Sequence, residues 1–283
     1  MALTAEAEYR QTAPPLMAGA APPGEPIGRP GPLTAIERFQ FESAGYLLVP
    51  GAISADQAAV CLAACERLHA DTPVGAWRQI PLAYQREPAI ADLIDHPAVL
   101  AKVRALLGDF LKVQSSWCTR VPPRSGEMAY HQDGYAPSPF RELAPATPLV
   151  QLRVGWVMTP LSGSDCGNLA FIPGSHRCPV SLPPGTVVGD VPSARLITAE
   201  PGTAVLFHQG IWHTSTLNLR DRPRFMQHIV YAPPWLVRRH AHDPAFIAAQ
   251  PPLRRALLED WTAAAKNFNE AERPPWESAS IVC

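Results

Sequence analysis

The sequence predicts an α+β domain with an antiparallel β core. Helical patterns with N-cap signals fill the first part of the chain, and short β-branched or aromatic runs broken by Pro and Gly turns follow them. One more helical pattern comes late. Runs of helix followed by runs of strand point to α+β architecture, not to an alternating βαβ sheet. Many short strands with long turns suit a double-sheet jelly roll, a double-stranded β-helix whose open mouth holds a small ligand. The expected arrangement packs N-terminal helices on one sheet and adds a C-terminal helix.

The elements follow in order. Residues 1–32 include "QTAPPLMAGAAPPGEPIGRPGP", rich in Pro, Gly and Ala and without periodicity, and are expected to be a disordered or loosely packed arm. "LTAIERFQFESAGY" predicts a helix with Thr34 as N-cap, Glu37 completing a capping box, and Gly45 as the stop. "YLLVPG" reads as a short strand. Ser54 with Gln57 opens a second helix through "DQAAVCLAACERLHA", and "AIADLIDHPAVLAKVRALLG" reads as two helical pieces broken at Pro97. The strands are "LKVQSSWCTRVPP", "LVQLRVGWVMTPL", "NLAFIPGS", "TAVLFHQGIWHTS" and "RFMQHIVYAPP". "PPLRRALLEDWTAAAKNF" is the closing amphipathic helix. A single domain over 33–272 is expected, with 273–283 a loose tail.

Composition excludes several functions. The 283 residues carry 24 basic and 25 acidic side chains with no dense run of either sign, which argues against nucleic acid or an anionic membrane as partner. Hydrophobic residues make up 47%, enough for a substantial core. No apolar run reaches the roughly 18 residues a membrane span needs. The six cysteines form no paired framework, so reduced thiols and a cytoplasmic location are expected.

The chemistry centres on "YHQDGYAP". On a strand or the turn leaving one, His131 and Asp133 point to the same side. That pair alone could hold a metal, act as an acid/base couple, or be a surface hydrogen bond. His208 and His213 in "FHQGIWHTS" are candidate third ligands. In "HTSTLNLRDRPRF" an outgoing strand, a turn and a returning strand can bring His213 and Arg224 together, which favours His213. Two neutral imidazoles and one carboxylate on one face suit non-haem Fe(II), with positions left open. A guanidinium further along suits the remote carboxylate of a bidentate organic acid.

With these motifs in the order "HQD", "CGNLAFIPGSH" and "GTAVLFHQGIWHTSTLNLRDRPR", the chain resembles the phytanoyl-CoA dioxygenase family of Fe(II)/2-oxoglutarate-dependent oxygenases over residues 33 to about 235. The resemblance implies that His131, Asp133 and His213 are the catalytic iron ligands, with 2-oxoglutarate and O₂ as co-substrates. It implies that Arg224 pairs with the C5 carboxylate of 2-oxoglutarate, that Ser215 adds a hydrogen bond to it, and that Gln114 contacts the co-substrate. Two positions depart from the family pattern. Cys118 stands where some members carry a polar amide, and Cys166 replaces Asn before Gly167.

Other residues complete the expectations. Tyr130, Tyr135, Trp156, Trp212 and Arg153 are candidates for the substrate pocket. His208 and His176 are read as structural, His228 as a hydrogen-bonded core residue, and Trp77 and Arg78 as parts of a lid. The expected reaction is hydroxylation, or another oxidation, of a small to medium-sized and largely apolar metabolite in natural-product biosynthesis. The alternative is a non-catalytic jelly-roll module that senses a metal or ligand. Asp133 argues against a halogenase, in which a small residue replaces the carboxylate ligand.

Overall fold

The computed structural model describes residues 25–126, 128–133 and 148–259. The first helix, α1 (Ala35–Ala44), starts and stops as the capping signals dictate. Thr34 Oγ1 accepts from the Glu37 amide at 3.2 Å, and Glu37 Oε2 accepts from the Thr34 amide at 2.8 Å. Gly45 ends the helix with φ +86°, its N–H bonded to the Phe41 carbonyl. A side chain there would be strained and would also run into His176, whose Nδ1 lies 2.6 Å from where a Cβ would sit. Strand β1 (Tyr46–Val49) follows, then α2 (Ala55–Leu68), opened by the Ser54–Gln57 capping box.

Strand β2 (Arg78–Pro81) comes next, where the sequence suggested a lid. It hydrogen-bonds as an edge strand, and the lid reading of Arg78 is corrected: its guanidinium bonds Asp71 and Thr72. The short α3 (Pro88–Ala91) precedes α4 (Pro97–Leu107), which has Pro97 in its first turn and Gly108 as its C-cap. The long strands β3 (Lys112–Val121), β4 (Leu152–Val157), β7 (Ala204–His208) and β9 (Arg224–Ala232) match the apolar runs. The shorter ones are β5 (Leu169–Phe171), β6 (Arg195–Leu196) and β8 (His213–Ser215). Helices α5 (Pro244–Ala248) and α6 (Pro252–Leu258) follow. The rest of the expected C-terminal helix lies outside the described residues.

Six strands form an antiparallel sheet in the order β1-β7-β4-β9-β3-β2, and three form a second sheet in the order β6-β5-β8. Strand alternation divides the side chains of the large sheet between two environments. Leu152, Val154, Trp156, Leu206, Ile229 and Tyr231 pack with the helices in the main core. Val157, Val205, Phe207 and Met226 face inward and meet Leu169 and Phe171 of the small sheet. The two sheets thus close over an apolar interior at one end, and the other end is left to polar groups.

The N-terminal arm needs correcting. Residues 25–32 belong to the folded unit: Ile27 pairs with Leu48 in a parallel bridge, and the Leu48 amide donates to the Pro26 carbonyl at 2.8 Å. Residues 1–24 lie outside the described residues. The arm is held by Glu37, which also accepts from the Arg29 amide at 2.7 Å and ion-pairs with the fully buried Lys102 at 2.7 Å. Burial alone would raise the Glu37 carboxyl. Lys102 and the two backbone amides outweigh it and hold the carboxyl at about 2, below its ordinary 4.5. This stabilisation is therefore complete above about pH 4.5 and is lost as the pH falls toward 2.

Lys102→Met should lower stability at neutral pH by about 3–5 kcal/mol, because it leaves a buried carboxylate without its cation. Glu37→Gln combined with Lys102→Met should cost less than Lys102→Met alone. Urea unfolding of the parent and both variants measures this; a single variant as stable as the parent would contradict the role of the pair.

Candidate metal and co-substrate site

The site forms where the segment 128–133 runs beside β8. The His131 amide donates to the His213 carbonyl at 3.0 Å, and the His213 amide donates back to His131 at 2.9 Å. This exchange sets the two rings 4.3 Å apart, centroid to centroid. Two residues on, the Asp133 amide donates to the Gln209 carbonyl at 2.9 Å, and its carboxylate lies on the same side as His131. One donor atom each from His131, Asp133 and His213 lies within 4.8 Å of the others.

Backbone carbonyls orient both imidazoles. His213 Nδ1 is 2.9 Å from the Ile211 oxygen, and His131 Nδ1 is 3.3 Å from the Ala129 oxygen. A carbonyl only accepts, so each Nδ1 carries the proton and each Nε2 offers a lone pair. Burial, then the neighbouring His131, pulls the His213 imidazole down to about 3, and burial lowers His131 as well. Both are therefore neutral ligands at neutral pH. Burial opposes ionisation of Asp133, but the Arg153 guanidinium holds its carboxyl below the usual range.

These donors fit an iron(II) ion. His213 Nε2 is buried and makes no hydrogen bond, a state that costs about 1–3 kcal/mol unless a ligand satisfies it. Asp133 Oδ2 lies against Arg153 Nη2 and 3.6 Å from His213 Nε2.

Beside the triad is a cavity of ≈ 240 Å³ reached by His131, Asp133, His213, Ser215, Arg224 and His228. Arg224 opens β9 opposite Val121, and its Nε donates to the Gly167 carbonyl at 2.8 Å. Gly167 has φ +69°, and a Cβ there would stand 3.2 Å from Asn218 Cβ, so only glycine brings this carbonyl in without strain. Arg224 is 4% exposed, and burial pulls its guanidinium down to about 10. No carboxylate among the described residues pairs with it. A buried guanidinium facing a cavity without an anion is a receptor for one.

The phytanoyl-CoA dioxygenase (PhyH) family model matches residues 41–226. The chain belongs to this family. It is 32% identical over 157 residues to the phytanoyl-CoA dioxygenase domain-containing protein 1 of Rattus norvegicus, covering 50% of this chain and 52% of that protein. The match thus spans about half the length of that relative. Ectoine dioxygenase of Streptomyces avermitilis is 26% identical over 239 residues, covering 71% of this chain and 79% of the relative. Among solved structures, HygX from Streptomyces hygroscopicus with nickel and 2-oxoglutarate bound superposes with a TM-score of 0.64 at 17% identity, covering 76% of this chain and 94% of HygX. The jelly-roll fold of this PhyH-family chain is shared with that protein.

The structure sorts the remaining candidates. Ser215 reaches the cavity, but its hydroxyl donates to the Gly126 carbonyl at 2.9 Å, so it is not free to donate to a carboxylate. Gln114 sits at a bulge in β3 and faces a different, larger cavity. Its amide donates to the Val237 carbonyl at 2.9 Å. Three pocket candidates are corrected. Trp156 is fully buried on the helix side of β4, edge-on to His96. Tyr130 packs with Ala170, Val188 and Leu196 behind the small sheet, and Trp212 packs against the same cluster. Tyr135 lies outside the described residues. Arg153 does point inward, its guanidinium between Trp117 at 4.5 Å and Phe207 at 5.2 Å.

Other readings also shift. Cys118 faces the helix layer, away from the cavity, so its departure from the family pattern does not touch the co-substrate space. The His208 and His176 rings lie 4.9 Å apart, tilted by 44°, away from the metal cluster. His228 reaches the cavity with Nδ1 buried and unpartnered, and is not the hydrogen-bonded core residue expected. Gly155 on β4 leaves room for its ring, since a Cβ there would be 3.2 Å away. Trp77 reaches the same cavity.

His213→Ala should abolish binding of one Fe(II) per chain, whereas His208→Gln should keep it. Anaerobic metal titration with a circular-dichroism check of folding decides this. Retained binding in His213→Ala would move the third ligand elsewhere.

Proposed function

We propose that this protein is an Fe(II)/2-oxoglutarate-dependent oxygenase that oxidises a C–H bond of a small organic molecule, with hydroxylation the default outcome and metabolite tailoring the context. The observation that carries the reading is the buried, unpaired Arg224 guanidinium in the same cavity as the His131–Asp133–His213 cluster. A metal site alone would fit a sensor module. A metal site with a fixed receptor for a second carboxylate fits a bidentate 2-oxo acid.

Bound iron with 2-oxoglutarate and O₂ supplies the oxidising power: one oxygen atom ends in succinate, released with CO₂, and the other in the substrate. The chain's part is placement. His131, Asp133 and His213 would hold the metal, and the cavity beside them offers space for a chelating co-substrate and a gas molecule. Arg224 fixes the far end of the co-substrate, and its attachment to the Gly167 carbonyl fixes Arg224. Trp117, Thr119 and Leu169 line the cavity and would restrict water there.

Arg224→Ala should raise the 2-oxoglutarate KM by roughly thirtyfold or more, since losing such a charge pair costs about 2–5 kcal/mol. Arg224→Lys should recover part of it. Succinate release measured against 2-oxoglutarate concentration is the assay, and an unchanged KM would refute the role of Arg224. Oxygen-independent or absent succinate release would favour the sensor reading.

Asp133 as an anionic ligand occupies the position a halide would need. Reactions run with excess chloride or bromide should therefore give no halogenated product by mass spectrometry; a halogenated product would show that Asp133 does not complete the iron site.

A further inference from the structure

A second cavity, ≈ 410 Å³, lies on the other side of Asp133 and Arg153. Trp117, Asp133, Arg153 and Arg239 line both cavities, so a molecule held in the larger one meets the metal site across these four residues. Its walls do not match the apolar substrate expected from the sequence. Trp117 and Val230 are the apolar members, and four glutamines, Gln114, Gln132, Gln151 and Gln209, make up much of the rest.

Three of these amides are fixed by the backbone. Gln132 Nε2 donates to the Gly210 carbonyl at 2.6 Å, Gln209 Nε2 to Pro148 at 2.6 Å, and Gln114 Nε2 to Val237 at 2.9 Å. Gln114 Oε1 also accepts from the Ser115 hydroxyl at 2.7 Å and Gln209 Oε1 from the Gln151 amide at 3.1 Å, which leaves each amide a second N–H and at least one carbonyl lone pair to offer. Fixed polar walls suit a ligand with many hydroxyls, because they reject one that cannot replace the hydrogen bonds of displaced water.

Unsatisfied donors and positive charge narrow the class further. Trp117 Nε1 and Arg153 Nε are buried without a partner, and both call for acceptor oxygens. Arg239 has no ion pair among the described residues, and Asp133 is the sole acid among the described lining of either cavity. Once Fe(II) and 2-oxoglutarate are in place, the metal and Arg153, Arg224 and Arg239 carry five positive charges. Asp133 and the co-substrate carry three negative ones. Arg239 is exposed at the edge of the larger cavity, so an anionic group on the substrate could pair with it and offset this surplus where solvent screens the charges only in part.

We propose that the larger cavity binds a hydroxyl-rich substrate carrying a carboxylate or phosphate, with Arg239 receiving the anion, Arg153 and Trp117 donating to oxygens near the metal, and the glutamines reading the hydroxyls. This rests on the oxygenase reading above and specifies its substrate class.

The test uses the full chain loaded anaerobically with Fe(II) and 2-oxoglutarate, whose visible charge-transfer band is recorded first. Absence of that band refutes the oxygenase reading, and this proposal with it, before any probe is added. With the band present, binding of glucuronate, glucose 6-phosphate, glucose, hexanoate and indole is measured by calorimetry and by perturbation of the band. One or both anionic sugars should bind about tenfold or more tightly than glucose, as a charge-assisted pair typically provides, and more tightly than hexanoate or indole. Preference for glucuronate over glucose 6-phosphate, or the reverse, identifies the anion. Arg239→Ala should bring the preferred sugar to within about threefold of glucose, and Arg239→Lys should restore part of the gap. Tighter binding of hexanoate or indole, equal binding of glucose and the anionic sugars, binding of none, or an unchanged preference in Arg239→Ala would each overturn the proposal.

Discussion

The reciprocal backbone exchange between His131 and His213 is the constraint on which the site depends. It ties a segment outside the regular strands to β8 and places two imidazoles far apart in sequence side by side. Three consequences follow. Strand periodicity carries Asp133 to the same side as His131. The Ile211 and Ala129 carbonyls then claim the two Nδ1 protons, leaving a lone pair on each Nε2 for a metal. Finally, β8 leads into the turn that starts β9, so Arg224 reaches the same cavity. A slip of one residue between these segments would send a histidine to the opposite face and dismantle the metal site with no change of side chain.

Electrostatics reinforces that geometry. Arg153 stands between Trp117 and Phe207, where aromatic faces shield its charge from water. It therefore needs Asp133, and Asp133 gains an ionised form in a buried site. A metal ion would share that carboxylate with the guanidinium. The aromatic packing keeps Arg153 in place while this happens, so the carboxylate is oriented before any metal arrives.

The parts legible in the sequence were those set by local chemistry or by ordered motifs. Thr34–Glu37 and Ser54–Gln57 are capping boxes because their side chains satisfy amides three residues away, a relation that needs no tertiary information. The clustering of His131, Asp133 and His213, with Arg224 on the same cavity, followed from the order of these residues along the chain. The pocket did not, because its lining depends on strand parity across a sheet. Arg153 and Trp156 are three apart on β4 and so must face opposite ways; Trp156 shares parity with the core residues Leu152 and Val154. That signal was available for Trp156. For Gln114 it was not, since a β3 bulge resets the parity there. The arm's attachment was equally hidden: its Pro/Gly-rich composition reads as disorder, but pairing with β1 and the Glu37–Lys102 pair order residues 25–32.

The common wall between the two cavities links co-substrate and substrate electrostatically. Trp117, Asp133, Arg153 and Arg239 belong to both, so charge brought to one side changes what the other favours. Metal binding draws on Asp133 and leaves Arg153 less neutralised. Co-substrate binding would return negative charge, with one carboxylate directed to Arg224 in the smaller cavity under the proposed function. The uncompensated positive charge therefore remains on the wall that the substrate meets. Fe(II) would add two positive charges and 2-oxoglutarate two negative ones, so loading leaves the surplus of Arg153, Arg224 and Arg239 over Asp133 unchanged and would only shift it toward the wall shared by the two cavities.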